Sequence, residues 1–137
     1  MAHLLGVNLI YNTMTDIRLK RAYDELDSSD GLRVLIDRLW PRGITKEKLH
    51  YDVWEKDLAP SNELRNWLHE DIANRWNEFI ASYEAELEKL PELNLFINKI
   101  KHYNTITLLY ASKDLEHNNA QVLLKVLQKK LNKLKMP

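Results

Sequence analysis

Arg38 and Arg42 stand four positions apart in the stretch RVLIDRLWPRGI (residues 33–44), together with Asp37, Trp40 and Pro41. A guanidinium donates in a fixed fork that matches the oxygens of a phosphate or carboxylate. Asp37 could orient such an arginine, take a proton as a general base, or meet a metal. Trp40 offers a flat face to a base or sugar ring. A second polar cluster, SKDLEHNN at residues 112–119, adds Ser112, Lys113, Asp114, His117, Asn118 and Asn119. Ser112 and the free N–H groups of a helix opening there would supply neutral donors and a positive dipole end. These types suit an anionic ligand. Asp37 is the catalytic candidate, and Arg21, Arg38, Trp40, Arg42, Ser112, Lys113 and Asn118 are the ligand-binding candidates. The competing account is structural: Asp37 and Arg38 tie loops together, Trp40 fills the core, and Asn118 caps a helix.

Other motifs carry less. His69-Glu70-Asp71 lacks the HExxH spacing of a metalloprotease and reads better as a helix-end cluster, so no metal ligand is assigned. His117 is of a type that works as an acid or base, though a loop histidine with no chemistry is the commoner case. Ser112 lacks the G-x-S-x-G frame of a hydrolase nucleophile. No Gly-rich phosphate loop is present, and no cofactor is selected.

The two clusters can cooperate only if strands deliver them to one place. IRLKRAY (residues 17–23) alternates, which marks a strand and puts Arg21 on its more apolar face, where a charge needs a partner. RVLID (33–37) is a short β-branched run typical of a strand covered on both sides. Residues 51–60 suggest a third, short strand, and TITLLYA (105–111) a further one. Between them Ser61 reads as an N-cap. Leu64, Trp67 and Leu68 mark a short helix; Trp76, Phe79, Ile80, Tyr83, Leu87 and Leu90 mark a longer one. Pro91 breaks it and starts the next. Ala120, Leu123, Leu124, Leu127, Leu131 and Leu134 mark a final amphipathic helix.

Helices between strands predict an α/β fold: a small, mostly parallel sheet of about four strands, Rossmann-like in three layers. The few residues between the first two strands keep a hairpin open there, because a parallel crossover normally takes a dozen or more. In open parallel sheets ligands bind beyond the carboxyl ends of the strands, where both clusters lie. Residues 1–15 read as an N-terminal extension and 16–137 as a single domain.

Composition narrows the class. Lys plus Arg equals Asp plus Glu at 20 each, so the whole chain exerts no long-range pull on nucleic acid or an anionic membrane. Residues 61–100 are acidic on balance and 101–137 basic. The C-terminal lysines read as a solvated helix face. Cysteine is absent, which removes disulfides, thiolate catalysis and thiolate metal sites. No run reaches the roughly 18 apolar residues of a membrane span. HLLGVNLIY (3–11) lacks a basic leader and a cleavage site, so the expected location is cytoplasmic. Apolar side chains at 4–11 would allow a homodimer.

LKRAYD, DGLRVLIDRLWPRGI, LRNWLHEDIANRWNEFIASYEAEL and TLLYASKDLEHNNAQVL closely resemble the YeaO-like proteins, a family of small bacterial proteins of unknown function. The resemblance covers about residues 16–128. It implies a compact α/β domain without an established activity, and it points to Arg21, Tyr23, Asp37, Arg38, Trp40, Pro41, Arg42, Gly43, Trp76, Tyr83, Lys113, Asn118 and Ala120. More distant relatives resemble the pattern with a Cys-His-Arg loop opening the last helix, where this chain has Asn118-Asn119. That departure weakens a mechanism built on a thiol or histidine there. The expected function is binding of a phosphate-bearing or other anionic small molecule, with or without a reaction. The alternatives are a nucleic-acid-binding or regulatory protein, and a structural or interaction protein without a ligand. No helix-turn-helix with a basic recognition helix is legible.

Overall fold

The computed structural model describes residues 15–135. The expected extension over residues 1–15, Thr15 apart, and the expected dimer surface at 4–11 lie outside the described residues. Among the described residues four strands form one sheet: β1 (Asp16–Arg21), β2 (Leu32–Leu35), β3 (Val53–Trp54) and β4 (Thr105–Tyr110). Their order is β1-β4-β2-β3, and every pairing is parallel. Among the described residues there are four α-helices: α1 (Asn62–Glu70), α2 (Ile72–Glu88) and α3 (Pro91–Ile100) between β3 and β4, and α4 (Asn119–Lys135) after β4.

A hairpin does not join the first two strands, because β4 lies between them. The short segment 22–31 makes a parallel crossover. The distance explains why it suffices. Strands of four to six residues are about 20 Å long, and stepping across one intervening strand adds about 10 Å sideways. Residues 22–31 can span about 30 Å when extended. A 3₁₀ turn at Ser28–Asp30, with an Asp27 capping box, aims the chain into β2. Gly31 then passes β4 at φ 65°, and a Cβ there would overlap the Thr105 carbonyl oxygen, so only glycine fits.

The helices pack on one face of the sheet. Ile17, Val34, Ile36, Ile106 and Leu108 meet Phe79, Tyr83, Leu87, Phe96, Leu123 and Leu127 there. The apolar stripes of the sequence supply these contacts, except that Leu134, read into the last stripe, is exposed. Ser61 caps α1 by accepting from the Leu64 amide at 3.2 Å, and Pro91 opens α3 at its first turn. The opposite face carries the third layer, built from loops: Leu49, Trp40, Ile44 and Tyr51 cover Ala22, Leu35 and Leu109. No helix among the described residues is long and apolar enough to cross a membrane.

Candidate functional site

β2 and β4 are neighbours, so their carboxyl ends open side by side. Asp37 joins them. One carboxylate oxygen accepts from the Ala111 amide at 2.8 Å and the other from Asn119 Nδ2 at 3.3 Å. Its own carbonyl accepts from Trp54 Nε1 at 2.6 Å. Burial raises the carboxyl above its ordinary value, although the Ala111 amide, Asn119 and the nearby Arg65 charge pull the other way.

Beyond this junction lies a cleft of about 430 Å³, within the usual size range for small-molecule sites. Asp37, Arg38 and Leu39 line it from the end of β2, and Ala59 and Pro60 from the segment after β3. Arg65, Leu68 and His69 of α1, with Ile72 and Phe79 of α2, form another wall. The loop after β4 and the start of α4 close it through Ser112, Lys113, Asp114, His117, Asn118 and Asn119. The two polar clusters of the sequence therefore share one hollow.

The wall is held from behind. Tyr83 donates to the Leu58 carbonyl at 2.6 Å, and Glu86 accepts from the amide and hydroxyl of Ser61 at 2.9 and 2.7 Å. Burial pushes the Tyr83 hydroxyl well above its ordinary range, with the Asp37 and Glu86 charges adding to it, so it stays a neutral donor. Segment 58–61 is thereby fixed where Arg38 Nη2 donates to the carbonyls of Ala59 and Pro60, at 3.2 and 3.4 Å. Arg38 Nε is buried and has no partner among the described residues, and Arg65 Nε shares that condition. An unmet buried N–H costs about 1–3 kcal/mol, and a native structure with two of them in one cavity wall calls for an explanation.

The loop at 112–118 is self-supporting. Asp114 accepts from the amides of Glu116 and His117 at 3.0 and 2.9 Å, and its carboxyl falls below its ordinary value chiefly through these two bonds. His117 Nδ1 lies 3.2 Å from the second Asp114 oxygen. Asn118 is buried; it donates to the Asp114 carbonyl at 2.8 Å and accepts from the Gln121 amide at 3.1 Å, the bond of an N-cap. Ser112 accepts from the Asp114 amide at 3.1 Å.

Of the sequence candidates, Asp37, Arg38, Ser112, Lys113 and Asn118 meet at the cleft, and Arg21, Trp40 and Arg42 stand outside its lining. Arg21 gains the partners its apolar face demanded: it donates to the Ser112 and Ala111 carbonyls at 2.9 and 2.7 Å, and so braces the loop from behind. Trp40 packs edge-on against Tyr51 and Trp54 and donates to the Ile44 carbonyl at 2.7 Å, on the loop-covered face. Arg42 is exposed, and its carbonyl accepts from Tyr23 at 2.8 Å.

Sequence reasoning missed Arg65. The signal was present: Arg65, Leu68, His69 and Ile72 follow the i, i+3, i+4, i+7 spacing of a single helical face, so an arginine and a histidine share a stripe with apolar residues. Among the described residues no group of three or more His, Asp or Glu side chains is placed to hold a metal ion.

Residues 16–136 match a protein family described as the inactive DUF488-N3 subclade. The chain is 41% identical over 108 residues to the uncharacterized protein YeaO of Escherichia coli, covering 79% of this chain and 93% of that one. It is 37% identical over 113 residues to an uncharacterized protein of Mycobacterium tuberculosis, covering 82% and 94% respectively. No solved structure matches it significantly. The chain belongs to the YeaO-like family of unknown function, within the inactive DUF488-N3 subclade.

Proposed function

We propose that the protein binds a small anionic molecule, a phosphate ester or a carboxylate, in the cleft between the β2 and β4 ends. The observation that carries this reading is the pair of unmet Nε donors on Arg38 and Arg65 in the wall of one cavity. Lys113 adds a third cation. The two carboxylates there, Asp37 and Asp114, already accept hydrogen bonds from the protein's own amides, so neither needs an arginine to satisfy it. A turn of each side chain about its stem would bring these buried donors to an arriving oxyanion. Leu39, Leu68, Ile72 and Phe79 would hold the ligand's less polar part.

Binding without a reaction is the form this proposal takes. Asp37 is the group best placed for base chemistry, but both its oxygens serve the joint between β2, β4 and α4. The family description, an inactive subclade, agrees with that.

Thermal unfolding of the full chain with inorganic phosphate, phosphate esters, carboxylates and duplex oligonucleotides tests the proposal. A ligand at a hundredfold excess over its Kd stabilises by about 2.7 kcal/mol. A phosphate ester or carboxylate should give such a shift, and Arg38→Ala should remove it. An oligonucleotide that shifts the protein with a steep salt dependence, while small anions do nothing, would overturn the proposal in favour of nucleic-acid binding.

A further inference from the structure

We infer that the Asp114–His117 pair in the cleft wall gives the bound anion a second anchor, and that the ligand is an oxyanion carrying hydroxyl or amino groups. This inference rests on the anion reading of the cleft and goes beyond it to the class of ligand. Three contacts fix the histidine. Asp114 is locked by the amides of Glu116 and His117, so its remaining oxygen lies where His117 Nδ1 meets it at 3.2 Å. Trp76 of α2 holds the ring at a centroid distance of 5.2 Å and an angle of 81°. The ring still lines the cleft, with 40% of the side chain exposed.

A carboxylate only accepts hydrogen bonds, so the Nδ1 facing it carries a hydrogen. In the neutral ring Nε2 is then a bare acceptor, and it has no hydrogen-bond partner among the described residues. An exposed His–Asp pair contributes little to stability. Its effect here is to hold one tautomer and one orientation of a ring in the wall of a cavity. The cleft thus sets donors at Arg38 and Arg65 against an acceptor at His117. A ligand that fits both carries acceptor oxygens in one part and an O–H or N–H in another. A bare oxyanion uses only the first set.

Titration calorimetry on the full chain with glycerol 3-phosphate and with ethyl phosphate, which lacks the hydroxyls, separates the two sets. Glycerol 3-phosphate should bind roughly tenfold tighter, the value of about one hydrogen bond. His117→Phe, which keeps an aromatic ring against Trp76, should bring glycerol 3-phosphate down to the level of ethyl phosphate and leave ethyl phosphate unchanged. Nitrogen-15 shifts of the wild-type imidazole should report the Nδ1–H tautomer. Equal affinity for the two esters, or an Nε2–H tautomer, would overturn the inference and leave the anion reading standing. If neither ester, nor inorganic phosphate, nor a carboxylate binds, the anion reading itself falls and takes the second anchor with it.

Discussion

Arg33 and the pair Arg38–Arg65 lie in one small protein, yet they differ in what their Nε groups meet. Arg33 sits on the loop-covered face, 3% exposed. It forms an ion pair with Asp30 and donates from Nε to the His50 carbonyl, while its backbone amide donates to Asp52 at 2.8 Å. Lys20 reaches the same Asp30 carboxylate at 3.1 Å, and Thr107 donates to the Asp30 carbonyl at 2.7 Å. On the helix-covered face, at the strand ends, Arg38 and Arg65 keep a buried N–H each with no partner among the described residues. One arginine closes its account inside the fold. The other two each keep one buried donor unmatched, in side chains that line the cleft. The difference separates a guanidinium partnered inside the fold from two that each keep an unmatched donor, which residue type alone cannot do.

The largest effect expected from breaking this contrast is at Asp30. Asp30→Ala leaves the buried Arg33 charge without its partner, and losing one side of a buried pair costs about 3 kcal/mol or more. Chemical denaturation should show that loss as a lower midpoint with an unchanged slope. The pH dependence sharpens the test. Burial alone would raise the Asp30 carboxyl, but the Asp27 amide, Lys20 and Arg33 outweigh it and lower it below 3.8. The stabilisation is therefore present in full above about pH 3.8 and fades as pH falls through the lower folded value. Asp37 has the opposite sign. Its folded value is raised, so ionisation opposes folding, and the cost is relieved as pH falls toward 3.8. Wild type should lose its advantage over Asp30→Asn in acid, and should gain on Asp37→Asn over the acid range. Parallel pH profiles for the two variants would sink the comparison.

The same contrast explains what was legible in the sequence. The strands after which the two polar clusters fall, the helical stripes, the Ser61 cap and the Pro91 start all follow from local periodicity and capping, and the fold reproduces them. The crossover at 22–31 was harder, because reach depends on strand length and on which strand lies between, and β4 arrives only at residue 105. The convergence of Asp37 and Arg38 with the 112–119 loop followed from placing both at strand carboxyl ends. Which arginines enter the hollow did not follow. Arg21, Arg38 and Arg42 look alike as residues near a strand end. Arg21 is drawn to two loop carbonyls, Arg42 is carried outward beyond Pro41, and Arg65 arrives from a helix whose position depends on contacts such as Tyr83 with Leu58.

A smaller effect on stability, with a large one on binding, is expected at Arg65. Arg65→Met keeps much of the apolar stem against the cleft wall and removes the unmet buried donor. Stability should stay within about 1 kcal/mol of wild type or rise, as it does when an unsatisfied buried group is replaced by an apolar one of similar shape. The anion-induced thermal shift should fall by most of its size. A loss of stability as large as that of Asp30→Ala would mean that Arg65 is engaged much as Arg33 is, and the distinction between the two faces would fail.

The smallest effect is expected at Arg42. Its side chain is exposed, it is absent from the cleft lining, and the hydrogen bond made at this position uses its backbone carbonyl, which survives substitution. Arg42→Ala should change stability by no more than about 0.5 kcal/mol, as surface substitutions usually do. Its effect on anion affinity should be confined to long-range attraction, which solutes at 0.15 M ionic strength screen over about 8 Å. Measured at low and at physiological salt, any affinity loss in Arg42→Ala should shrink toward zero, whereas that in Arg38→Ala should persist, because a short-range hydrogen bond in a buried wall is screened far less. A salt-independent loss at Arg42 as large as that at Arg38 would place the anion outside the cleft, between the two arginines of the post-β2 loop.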